Sequence, residues 1–249
     1  MDIQLFFTTL LAATITMLAT GLGAVPFYFF PRLSQKWSRR GYGFAGGVML
    51  AASVFDLIIP ALRRGGYSPV AIGLTVGTGV FLLSEVWLGD KQIDFGEIRG
   101  ASARRVLLIL GTLFLHSFPE GVAVGVGYGA GQENGNLGFL LALAISVQNI
   151  PEGLAVTLPL RAEKVPVNQC VFWAIFSSVP QPIAAIPALL AVSFFQQILP
   201  YGLAFAAGAM GFLVVSELIP EGLEKGDRLE IGTIVAIGFL LMTIAHTLV

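Results

Sequence analysis

Residues 116–124 read His116-Ser-Phe-Pro-Glu120-Gly-Val-Ala-Val124, and residues 148–156 read Gln148-Asn-Ile-Pro-Glu152-Gly-Leu-Ala-Val156, so one motif is written twice, 32 residues apart. Each copy lies inside a long apolar run. An ionised carboxylate in hydrocarbon costs about 2.5 to 3.5 kcal/mol on insertion scales, so an acid there implies a function and a partner. The partner expected here is a metal cation. His116 and Glu120 are four residues apart, as are Gln148 and Glu152, which places each pair on one helix face. Pro119 and Pro151 fall within the pairs; each removes a backbone donor and clashes with the carbonyl four residues back, so kinks and freed carbonyls at Leu115 and Val147 are expected. Such backbone is tolerated in a membrane only where protein or a wet cavity covers it. One imidazole, two carboxylates and one amide oxygen suit Zn²⁺, and also Fe²⁺, Mn²⁺ or Cd²⁺.

Outward from the motifs, the composition is that of a membrane protein: 249 residues, 55% apolar and 12% charged, against about a quarter charged in soluble chains. Apolar runs of spanning length fall at about 4–30, 42–62, 68–88, 105–129, 137–160, 167–191, 199–221 and 230–248. They predict an all-α integral membrane fold with eight transmembrane helices, residues 1–249 forming a single transmembrane domain. Twelve Lys and Arg residues fall in the odd-numbered loops, from Arg32, Lys36, Arg39 and Arg40 to Lys91, Lys225 and Arg228, while only Arg63 and Arg64 lie on the other side. That bias makes the odd loops cytoplasmic and puts both termini outside, or in the periplasm if the chain sits in a bacterial inner membrane. No basic region precedes the first apolar stretch, so no cleaved leader is expected. The single Cys170 forms no intrachain disulfide. Phe44-Ala-Gly-Gly-Val-Met49 and Asp56-Leu-Ile recur as Phe205-Ala-Ala-Gly-Ala-Met210 and Glu217-Leu-Ile. The helices carrying them run in opposite directions by the loop count, which predicts a 3+2+3 inverted-repeat arrangement around the two motif helices.

At the doubled Pro-Glu-Gly motifs the sequence resembles the ZIP family of divalent-metal transporters, and within it the GufA-like branch, where Gln replaces the second His. The resemblance covers the whole chain in length, span number and motif order. It implies a secondary transporter that moves Zn²⁺, with Fe²⁺, Mn²⁺ or Cd²⁺ as further substrates, into the cytoplasm by alternating access. It implies an elevator-like motion of the first, fourth, fifth and sixth helices, and a homodimer. Protonation of the ligands would assist release. The metal is substrate and no cofactor is expected. Met49, in Gly-Val-Met-Leu-Ala-Ala-Ser, matches a position where the resemblance implies a thioether near the metal. Many ZIP proteins build a second metal position where this chain carries Ser117, Asn149 and Gln181-Pro182. Losing charged oxygens there weakens a divalent ion's hold, so a single site of His116, Glu120, Gln148 and Glu152 is expected, with Ser117, Asn149 and Gln181 supporting it.

Asp56, Glu85 and Glu217 are expected as pathway acids. With Glu120 and Glu152 they form an intramembrane acidic set for which the span assignment offers no Lys or Arg. Glu221 is expected to be solvated and His246 to be a surface or packing residue. The stretch from Gly89 to Arg105 has no His, so metal sensing there is not expected. No nucleotide-binding Gly-x-x-x-x-Gly-Lys pattern occurs, and nothing suggests nucleic acid as a partner; divalent ions and the lipid bilayer are the partners foreseen. Two other classes use similar groups. A membrane-embedded zinc hydrolase would hold a catalytic zinc on His and Glu, but His-Glu-x-x-His is absent, so the chain is not expected to be an enzyme. A divalent cation channel would use the same acids without saturation.

Overall fold

A computed structural model of the chain describes residues 3–30, 35–89, 94–130, 137–224 and 226–248. Among them, eight helices are long and apolar enough to cross a membrane: α1 (Ile3–Phe29), α2 (Gln35–Gly65), α3 (Tyr67–Trp87), α4 (Ser102–Ala130), α5 (Leu137–Ala162), α6 (Val167–Leu190), α7 (Val192–Leu223) and α8 (Arg228–Thr247). The chain is an all-α, multi-pass membrane protein. Arg32, Lys91 and Lys225, three of the charges that set the predicted orientation, lie outside the described residues.

The helices overrun the apolar stretches where charge can be paired. α2 begins at Gln35, within what reads as a basic turn, because Arg40 donates from Nε to Glu230 Oε1 at the head of α8 over 2.7 Å. The guanidinium also lies 4.8 Å above the Trp37 ring. Between α3 and α4 the chain is not wholly irregular. Strands β1 (Asp94–Phe95) and β2 (Ile98–Arg99) pair antiparallel around Gly96, whose φ of 62° suits glycine. Phe95 seats this hairpin against Trp173 of α6, with ring centroids 4.8 Å apart.

Glycines show which helices are joined backbone to backbone. A Cβ on Gly153 of α5 would stand 1.7 Å from the Thr20 carbonyl oxygen of α1, and one on Gly121 of α4 would stand 2.3 Å from that of Gln181 in α6. Gly77 of α3 meets Phe205 O of α7 at 2.0 Å, and Gly47 of α2 meets Val235 O of α8 at 2.1 Å, by the same measure. These approaches tie α5 to α1, α4 to α6, α2 to α8 and α3 to α7, and Gly127 of α4, whose Cβ would stand 3.2 Å from Gly138 Cα of α5, joins the first two pairs into one set. Small residues allow such packing where lipid removes the hydrophobic drive. Between the two sets the glycine contacts are with side chains: Gly41 with Leu158, at 3.0 Å, and Gly202 with Pro119, at 3.5 Å.

Two helical segments depart from α geometry. Ser53–Ile58 in α2 and Val214–Leu218 in α7 are π-helical. They hold Asp56 and Glu217, and each is followed by Ile-Pro. π turns inside α-helices concentrate at functional sites. They fall at matching places in the two related stretches of sequence.

Candidate metal centre

The motif helices expose one face and bury the other. On α4, Leu115 and Phe118 are exposed, whereas His116, Ser117 and Glu120 are buried. On α5, Val147 and Ile150 are exposed, whereas Gln148, Asn149 and Glu152 are buried. The i, i+4 spacing therefore works as expected. Gly121 against α6 and Gly153 against α1 fix the rotation of the two helices, each one residue beyond the acid it orients. Both helices run unbroken through Pro119 and Pro151, so the prolines do not interrupt them; Pro119 packs on Gly202 of α7.

The buried faces meet. His116 Nε2 lies 3.3 Å from Glu120 Oε1 and 3.2 Å from Glu152 Oε1. One ligand atom from each of the three lies within 4.8 Å of the others, and the residues are 0%, 2% and 1% exposed. The Gln148 amide nitrogen sits in their midst, 2.8 Å from Glu120 Oε1, 3.1 Å from Glu152 Oε1 and 3.4 Å from His116 Nε2. It donates where a cation would accept electron pairs from the same atoms. Turning the amide over would present its oxygen to that point, a choice that the hydrogen-bond network decides.

Around this centre, Gln181 of α6 donates to Glu120 Oε2 over 2.7 Å. Asn149 donates to Gln181 Oε1 over 3.2 Å and to the Thr16 carbonyl of α1 over 2.7 Å. Thr16 was not foreseen, since nothing in the sequence says which turn of α1 faces α5. Glu152 Oε2, His116 Nδ1, Ser117 Oγ and Asn149 Oδ1 are buried without a hydrogen-bond partner. A buried carboxylate oxygen left so is costly unless a cation or proton joins it. The donor set thus fits a borderline divalent ion bound by nitrogen and oxygen.

The remaining expected residues lie apart. Met49 is buried in the apolar core, with its carbonyl accepting from Ser53 Oγ. Asp56 lines a cavity of about 450 Å³ that reaches Glu120 and Gln148. Glu85 is partly buried. Glu217 lies in the π-helical segment of α7 and is 9% exposed. The expectation that the intramembrane acids lack Lys or Arg partners is corrected for Glu217, while Asp56 meets a histidine. Glu217 accepts from Arg105 Nε of α4 at 3.3 Å, and Asp56 pairs with His246 Nδ1 of α8 at 2.7 Å. Glu221, foreseen as solvated, pairs with Arg105 Nη2 at 2.8 Å. His246, foreseen as a surface or packing residue, is thus half of a pair. Arg105 has the length to reach inward from the head of α4, and an apolar-run count cannot see that reach. Glu120 and Glu152 have ion pairs with His116 alone among the described residues.

Residues 92–246 match the profile of the family described as ZIP Zinc transporter. The chain belongs to the ZIP family. It is 36% identical to "Zinc transporter GufA" of Myxococcus xanthus over 93% of this chain and 95% of that one. It is 34% identical to "Zinc transporter ZIPB" of Bordetella bronchiseptica over 92% and 77% of the two chains. A longer Arabidopsis thaliana protein is 38% identical over 92% of this chain, which spans 37% of the plant protein's length. The resemblance to the GufA-like branch of the ZIP family is therefore upheld. ZIP relatives are named transporters, in keeping with a chain that is not an enzyme.

Proposed function

We propose that this ZIP-family chain is a secondary transporter that carries Zn²⁺ into the cytoplasm through one buried site formed by His116, Glu120, Gln148 and Glu152. The observation that carries the reading is the convergence of two carboxylates and an imidazole on one point, occupied by the Gln148 amide nitrogen at hydrogen-bonding distance. The names of the relatives supply the metal, and the chemistry of the donor set extends the substrates to Fe²⁺, Mn²⁺ and Cd²⁺. Met49 supplies a thioether to the ion as it passes. Ser117, Asn149 and Gln181 hold the ligands, the last through its bond to Glu120. Asp56, Glu85 and Glu217 serve the path on either side.

Movement is by alternating access. The helix set α1, α4, α5 and α6 slides as an elevator past α2, α3, α7 and α8, within a single transporter domain of residues 1–249. Support comes from the glycine contacts, which join backbones within each set and meet only side chains between them. Part of the boundary is a groove lined by Ile72, Val76, Phe118, Pro119, Ile198 and Phe205, apolar surfaces with few directional bonds to break. The 3+2+3 inverted repeat is supported by the two π-helical segments at matching positions. The charge bias supports a cytoplasmic mouth at Arg105, an outer mouth at Asp56 and both termini outside, with an inner membrane as the proposed location. The working unit is a homodimer.

The test is uptake into proteoliposomes. His116→Ala and Glu152→Ala should each abolish Zn²⁺ uptake while the purified protein keeps its helical content and melting behaviour. Normal uptake by both variants would defeat the assignment. Two tight Zn²⁺ sites per chain in a calorimetric titration would refute the single-site reading.

A further inference from the structure

The cavity of about 450 Å³ joins two groups of polar side chains in one lining. Its lining includes Glu120 and Gln148 of the buried centre. It also includes Asp56, Arg63 and His246. Asp56 and His246 come from different helices, α2 and α8, and meet at 2.7 Å between Oδ1 and Nδ1. The acid is set by a π turn, and the imidazole by the Phe55 ring, 5.6 Å away between centroids. The Asp56 side chain is only 15% exposed, and its second oxygen, Oδ2, is buried without a hydrogen-bond partner. His246 is 39% exposed, so the ring can be reached from solvent.

We propose that Asp56 and His246 form an outer capture site that takes a borderline divalent cation, Zn²⁺ or Cd²⁺, and hands it along the cavity to the centre at His116, Glu120 and Glu152. The proposal rests on the transport reading above. A carboxylate and an imidazole are the donors such ions prefer. With bonds near 2.0–2.2 Å, a tetrahedral ion spanning the two needs them only roughly 0.7 Å further apart than they stand. Water fills the remaining positions, which keeps the hold weak enough for release. The orphaned Oδ2 supplies a second contact. Arg63 is exposed and opposes cations at the rim, so its charge sets how easily the ion reaches the pair. Both ligands belong to the set that does not slide in the elevator reading. The capture site is therefore stationary, and the mobile centre comes to it.

The competing explanation is an ion pair that merely ties α2 to α8. Three measurements separate the two. In proteoliposomes, His246→Ala should raise the half-saturating Zn²⁺ concentration about tenfold, more than it lowers the maximal rate. His246→Cys should lower the half-saturating Cd²⁺ concentration relative to that for Zn²⁺, because a thiolate is a softer ligand; a structural tie would show no such metal preference. In His116→Ala/Glu120→Gln/Glu152→Gln, which lacks the central site, weak Cd²⁺ binding should persist by calorimetry and vanish on adding His246→Ala. Half-saturation that ignores His246→Ala, or residual Cd²⁺ binding that survives it, overturns the capture site while leaving the transport reading intact. A wild-type chain that moves no metal would sink the transport reading, and the calorimetric arm would still decide whether the outer pair binds.

Discussion

The packing inside each helix set and the packing between the sets are built from different materials. Inside, glycines let backbones touch, as Gly153 does at Thr20 O and Gly77 at Phe205 O. Between them, contact is made by side chains and by the bridge from Arg105 of α4 to Glu217 and Glu221 of α7. Backbone contact has one geometry and tolerates no shift, whereas side chains can slide and re-pack and an ion pair can part and form again. The chain thus places its stiffness where ligands must be held and its give where motion is proposed.

The largest effect should come from breaking the stiff kind of contact. In Gly153→Ala the new methyl carbon would stand 1.7 Å from Thr20 O, a backbone atom that cannot retreat without moving α1. Destabilisation of at least about 3 kcal/mol is expected, read as loss of monodisperse protein in detergent or a large drop in melting temperature. Gly202→Ala adds the same methyl at the boundary, 3.5 Å from Pro119, and should change stability by less than about 0.5 kcal/mol. Equal effects at the two positions would erase the contrast.

Much of this was legible in the sequence, and the reason is periodicity. Apolar runs mark eight spans, and four-residue spacing puts His116 with Glu120 and Gln148 with Glu152 on single faces. Gln181 and Asn149 are expected near the centre through the family resemblance and not through periodicity. What escaped depends on the register between distant helices. Nothing in the neighbourhood of His246 announces Asp56, 190 residues away, and nothing beside Arg105 announces Glu217. The π turns escaped for a related reason: an extra residue in a helical turn leaves no compositional mark. A basic residue near a span end, a few turns from an acid on another span, is the signal that could have raised Arg105. Treating span ends as solvent hid it.

An intermediate effect should follow at the bridge between the sets. The Glu217 side chain is 9% exposed and that of Arg105 30% exposed. Arg105→Gln leaves a mostly buried carboxylate without its cation. Fully buried pairs lose about 3–5 kcal/mol when one partner is removed, and the exposure of Arg105 reduces that to roughly 1–2 kcal/mol. Adding Glu217→Gln should recover part of the loss in a thermal melt, since the more buried acid is then neutral and only the more exposed Glu221 is left without Arg105. A double variant no more stable than Arg105→Gln alone would show that the bridge does not join the two sets energetically.

The smallest effect is expected at the contact made by the acid of the other π segment, and its smallness is informative. Asp56 and His246 both sit within the α2, α3, α7 and α8 set, where Gly47 at Val235 O already fixes α2 against α8. His246 is also open to water, so the pair adds little to a joint made elsewhere. His246→Gln should lower stability by less than about 1 kcal/mol, a change of a few degrees at most in the melt. A loss as large as that of Arg105→Gln would mean that the pair is a strut, and the outer mouth would then owe its acid to structure instead of to the passing ion.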